Sequence, residues 1–112
     1  MKIQKRKKPR KFKVGVDEKI TIKDCGTIYL QSNEQLTFKK NKFEYDICKT
    51  NWGYYATPSM NHRLKNFKLK SFLTINEKKR LYIMLVEVQK LSTFKRYLKK
   101  EKVKILKEFT NF

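Results

Sequence analysis

The chain has few of the residues that chemistry usually needs. Among its 112 residues there are two cysteines and one histidine. Cys25 and Cys48 stand far apart with no CxxC pair, and His62 is remote from both in sequence. Four zinc ligands therefore cannot be assembled from local spacing, and no metal is expected. With only three glycines there is no Gly-rich phosphate loop. Neither GxSxG nor HExxH occurs, so no cofactor and no enzyme activity are expected. No apolar run approaches the roughly 20 residues of a bilayer span. No apolar segment follows Met1-Lys2-Ile3-Gln4-Lys5, so a secretory signal is not expected. The reading is a cytoplasmic chain whose two thiols are free and packed as small hydrophobes.

Acids are scarce as well. There are 10 Asp+Glu against 29 Lys+Arg, a formal net charge of +19. Leu, Ile, Val and Phe make up 31 of the 112 residues, above the roughly 20% below which chains tend to stay unfolded. A folded core is expected.

The charge is unevenly placed. Residues 1–13 carry eight bases and no acid, residues 14–56 six of each, and residues 57–112 fifteen bases and four acids. Basic ends around a neutral middle suit a polyanion. Only five of the bases are arginine (Arg6, Arg10, Arg63, Arg80 and Arg96). Arginine is the usual choice for bidentate phosphate and base contacts. A lysine excess in a chain rich in Asn and Ile also fits compositional drift in an AT-rich genome, and both readings stand at this point.

Along the chain, residues 1–13 (MKIQKRKKPRKFK) read as a disordered basic arm, because Pro9 and mutual repulsion oppose packing. Residues 14–112 read as a single domain. Ile20 and Ile22, Ile28 and Leu30, Leu36 and Phe38, then Phe43, Tyr45 and Ile47 alternate with polar residues. The breaks fall at Asp24-Cys25-Gly26, Ser32-Asn33 and Asn41. Short period-2 runs between turn residues predict an antiparallel meander. Thr57-Pro58 looks like a helix start, with Thr as cap and Pro at the first position, and predicts a short helix over about 58–65. Phe67–Ile75 and Leu81–Val88 read as a hairpin. The second of these strands is apolar on both faces and so is expected in the middle of its sheet. From about Gln89, Leu91, Phe94 and Leu98 form one apolar helical stripe. Val103, Ile105 and Leu106 fit either a strand or more helix. The expected class is α+β: a mainly antiparallel sheet of six to seven short strands, a short mid-chain helix and a C-terminal amphipathic helix.

Two features could bind a ligand. One is the basic arm, with Lys5, Arg6, Lys7, Lys8 and Arg10. The other is Asn51–Lys65, which holds the only Trp and the only His. There the capped helix start with Thr57 and Ser59, together with His62, Arg63 and Lys65, suits an anion. Trp52 and Tyr54 would offer a stacking surface. The competing reading makes Trp52 and Tyr54 core and Thr57 only a cap. The carboxylates of Asp24, Glu34 and Asp46 read as surface charge on a solvated strand face.

Asp24–Leu30 with Asn33–Phe38, Trp52–Ser59 with Asn61 and Arg63–Phe67, and Met84–Glu87 together resemble a group of small uncharacterised bacterial proteins. The resemblance covers about residues 18–100 and implies a self-standing bacterial domain, with no activity attached. The resulting expectation is a non-enzymatic module for an anionic partner, RNA or DNA first among them. The alternative is an accessory protein-interaction domain in a bacterial biosynthetic assembly such as one making polysaccharide.

Overall fold

A computed structural model describes residues 1–110. The chain divides into two compact units. One comprises Met1–Gln35 and Cys48–Tyr55, the other Leu36–Ile47 and the chain from Ala56 onward. The α+β class with mainly antiparallel sheet holds, with eight strands in three small sheets and two α-helices among the described residues.

In the first unit β1 (Lys2–Val14) runs antiparallel to β2 (Ile20–Tyr29) as a two-stranded ribbon. This differs from the disordered arm that the charge density suggests. The difference lies in cross-strand pairs that composition hides: Ile3 faces Ile28, Phe12 faces Ile22 and Val14 faces Ile20. The connecting turn has Gly15 and Glu18 at positive φ, with the Glu18 N–H donating to the Gly15 carbonyl at 3.1 Å. Asp24-Cys25-Gly26 is not a turn but lies inside β2. Every residue of this unit is exposed or half-buried.

β3 (Gln35–Lys40), β4 (Phe43–Lys49) and β5 (Tyr54–Ala56) form a three-stranded sheet in that order. Asn33 and Asn41 both have positive φ, a conformation that asparagine tolerates in tight turns.

The second unit holds the core. α1 spans Arg63–Asn66, β6 Leu69–Ile75, β7 Leu81–Glu87, α2 Leu91–Glu101 and β8 Lys104–Glu108, with a 3-10 turn at Val88–Lys90. β6 and β7 form the expected antiparallel hairpin, Ser71 opposite Leu85. The Asn76 side chain closes its turn by accepting the Arg80 N–H at 3.0 Å. The strand order is β7-β6-β8, so β6 is central and β7 is an edge. The two-faced apolar run of β7 had pointed to the reverse. β8 settles the order by pairing with the other side of β6, and Leu81, Tyr82 and Ile83 are left exposed. The stretch 102–108, undecided between helix and strand, is β8 after α2 ends at Lys102 in the left-handed conformation.

Among the described residues Pro58 is buried, and Leu64, Leu69, Phe72, Val86 and Leu98 are the buried hydrophobic side chains of the core. All five belong to the second unit. The α2 stripe faces inward as the spacing predicts: Leu98 is buried, Leu91 and Phe94 are half-buried, and Lys95, Arg96, Lys99 and Lys100 are exposed. Among the described residues no helix is long and apolar enough to cross a membrane.

Candidate nucleic-acid interface

Residues directly opposite in a ladder share a face, and successive residues alternate. Along regular β2, Ile20, Ile22, Asp24, Gly26 and Ile28 therefore lie on one side. Their partners Val14, Phe12, Arg10, Lys5 and Ile3 lie there too. The opposite side presents Lys2, Lys11, Lys13 and Lys23, with Gln4 and Tyr29. The Tyr29 hydroxyl donates to Gln4 Oε1 at 3.3 Å, and Lys2 sits 5.8 Å from the Tyr29 ring centroid.

The register breaks in the middle. Between the pairs Lys5–Gly26 and Arg10–Asp24, β1 has Arg6, Lys7, Lys8 and Pro9, and β2 has only Cys25. Such a bulge suits Pro9, which has no N–H to give a ladder. The extra residues gather cations at one place. Asp24 takes Arg6 Nε at 3.6 Å and Arg10 Nη2 at 3.1 Å. The Gly26 N–H holds the Asp24 carboxyl below its usual range and outweighs the opposing desolvation, with help from the Arg6 and Arg10 charges. Asp24 thus anchors two arginines. Lys5, Lys7 and Lys8 pair with no acid among the described residues. They line a shallow hollow with Ile3, Gln4, Arg6 and Thr27. Cys25, opposite the bulge, is exposed rather than packed.

Gly26 lets the two backbones meet here. It has φ +152°, and a Cβ on it would stand 2.2 Å from the Gln4 carbonyl oxygen. That is backbone, which cannot swing aside as a side chain can. Gly26→Ala is therefore expected to part β1 from β2 at this point. Amide hydrogen exchange at residues 2–5 should quicken while that of β6 stays unchanged; protection equal to wild type at residues 2–5 would contradict this geometry.

The same unit carries the aromatic segment. Thr50 Oγ1 accepts the N–H groups of Trp52 and Gly53 at 3.3 and 3.1 Å, and the Thr50 N–H donates to the Gly53 carbonyl at 2.8 Å. The tight loop turns its aromatic rings outward: Trp52 is 71% exposed and Tyr54 63%. These rings are not core. Trp52 stacks on Tyr55 with centroids 6.0 Å apart and planes 20° from parallel. Lys49 lies 5.3 Å from the Tyr54 centroid and donates to the Thr50 carbonyl. Residues 33–34 tie this loop to the start of β1. Asn33 N–H donates to the Lys49 carbonyl at 2.8 Å, and Lys49 N–H to the Glu34 carbonyl at 2.9 Å. The Glu34 carboxylate accepts the Gln31 N–H at 2.7 Å and the Met1 amine at 3.0 Å. The Gln31 N–H first, and then the Met1 amine, hold that carboxyl below its ordinary range.

The other candidate residues belong to the second unit. Thr57 does not cap a helix. α1 begins only at Arg63, and His62, at its cap position, makes no side-chain cap hydrogen bond. Ser59 Oγ accepts the Arg63 N–H at 3.2 Å instead. The single turn Arg63–Asn66 is too short to act as an anion-binding helix end. Arg63 is engaged internally. Its Nη2 donates to Asp46 Oδ2 at 2.5 Å and to Thr57 Oγ1 at 2.8 Å. Asp46 is only 4% exposed, so it is not the solvated strand-face charge that alternation suggested. Its partner lies 17 positions away in sequence, and no local signal marks the pair. His62 and Lys65 are exposed. No group of three or more His, Cys, Asp or Glu among the described residues could hold a metal ion.

Compared with protein-family models, with curated proteins and with solved structures, the chain finds no match.

Proposed function

We propose that the first unit is a non-enzymatic binding module for a polyanion, RNA or DNA. The observation that carries this reading is the β1 bulge, where Arg6, Lys7 and Lys8 crowd opposite a single residue of β2. Like charges in close array repel one another, so the arrangement is costly unless something anionic lies across it. Asp24 offsets Arg6 and Arg10 but leaves Lys5, Lys7 and Lys8 available. Binding of this kind releases counterions, so affinity falls as salt rises, with a slope of roughly −0.7 to −0.9 per phosphate neutralised.

Electrophoretic mobility shift over a salt series tests the reading. Lys7→Ala with Lys8→Ala is expected to lower the steepness of log K against log salt by about 1.4–1.8, the share of two lost phosphate contacts. A slope equal to wild type, or no binding at low salt, overturns it.

A second reading draws on the exposed apolar edge β7, with Leu81, Tyr82 and Ile83 open to solvent. An open edge can accept a strand from a protein partner, and the lysine excess would then be compositional. A partner whose binding is insensitive to salt and is lost on a proline substitution in β7 would favour it.

A further inference from the structure

We infer that the ligand of the first unit is single-stranded, held by stacking of an unpaired base on Trp52 while the ribbon lysines take its phosphates. The inference rests on the polyanion reading and adds to it the form of the nucleic acid.

The argument begins with cost. A tryptophan side chain that is 71% in water loses the burial that makes it favourable in a folded chain. The exposed Tyr55 stands beside it, and Tyr54 of the same segment is 63% exposed. The first unit buries no residue of its own, so these rings are not the rim of a core. They are nevertheless held in place. Four hydrogen bonds between Thr50 and Trp52 or Gly53 fix the loop, and the Trp52–Tyr55 stack fixes the ring. Gly53 permits this turn with φ +152°, and no atom within 4 Å would meet a side chain there. A rigid platform loses little entropy when a ligand lands on it.

The ligand's chemistry follows from the neighbours. Tyr55 lies against Trp52, and the broad exposed remainder of the indole offers a flat π-surface to a flat partner. Lys49 lies over Tyr54 in the same segment, and the Lys5–Lys8 cluster lies in the same unit. Flat rings joined by anionic links at short intervals describe a nucleic-acid strand. In a duplex the base faces are already stacked on each other, and only edges and backbone are offered. Stacking on exposed aromatics along a cationic track is the mode of single-strand binding, and it tolerates any base sequence.

Trp52 is the only tryptophan of the chain, so its fluorescence reports on this site alone. The full chain is titrated at low salt with oligo(dT), oligo(U) and a duplex of equal length. Both single strands are expected to quench the emission, and the duplex to bind more weakly with little quenching. The oligo(dT) and oligo(U) arms separate DNA from RNA. Read by electrophoretic mobility shift, since these variants carry no tryptophan, Trp52→Ala is expected to weaken single-strand binding about fivefold or more, and Trp52→Phe to restore most of it. Equal binding of duplex and single strand with unchanged emission overturns the inference and leaves the polyanion reading intact. No binding of any of the three overturns both.

Discussion

Replacing Phe72 by alanine is expected to cost the second unit about 3–5 kcal/mol, the largest loss from any single truncation in the chain. Phe72 lies on the central strand β6 at 5% exposure and is one of the five core hydrophobic side chains buried among the described residues. Met84 of β7 stands opposite it on one side and Glu108 of β8 on the other. Its ring meets that of Phe94 on α2 at 5.3 Å between centroids, tilted by 31°. One side chain thus joins the sheet to the helix that covers it. Truncation leaves a cavity and also removes the surface on which Phe94 rests, and a small domain has only about 5–15 kcal/mol to lose. Urea denaturation followed by circular dichroism measures the effect. Phe72→Leu, which keeps most of the volume, should cost less than about 1.5 kcal/mol. A loss below about 1 kcal/mol for the alanine variant would contradict the packing described.

Arg63→Ala is expected to destabilise the same unit by about 3 kcal/mol, and Asp46→Asn by only about 1 kcal/mol. The inequality comes from unequal burial. Asp46 is 5% exposed at its side chain, whereas that of Arg63 is 43% exposed. Without Arg63 a carboxylate stays in the interior with Thr57 as its remaining side-chain donor, and its Oδ1 is already buried without a hydrogen bond. Without the Asp46 charge, the guanidinium keeps its bond to Thr57, rests against the Phe67 ring and turns its open side to water. Thermal melts of the two variants rank them directly. If Asp46→Asn proves the more damaging, the carboxylate is not the buried partner.

Where the sequence succeeded, the signal was local. The β6–β7 hairpin followed from an alternating run and a two-faced apolar run on either side of a polar connection, and the turn closes through the side chain of its first residue, Asn76. The inward stripe of α2 followed from 3.6-residue spacing. Asn33 and Asn41 marked turns because asparagine tolerates the backbone found there. Where it failed, the deciding partner was distant. β7 looks central by its own residues, yet sheet order depends on where β8 docks, and Lys104–Glu108 carries little hint of that. The first thirteen residues looked unstructured because repulsion is visible in composition, whereas Ile3, Phe12 and Val14 matter only once paired with Ile28, Ile22 and Ile20. Of the candidate site, the basic cluster and the aromatic loop were legible as residue types. The engagement of Arg63 by Asp46 was not, because the pair forms only through tertiary approach.

In a sheet of two strands neither outer edge pairs with a further strand among the described residues, and each offers a row of backbone donors and acceptors on which further copies could stack into fibrils. The kink at Pro9 interrupts one such row, and the lysines flanking it hold neighbouring molecules apart. The cations therefore guard solubility whatever they bind. A polymer that neutralised them while lining up many copies side by side would remove that guard and favour filament growth along its length.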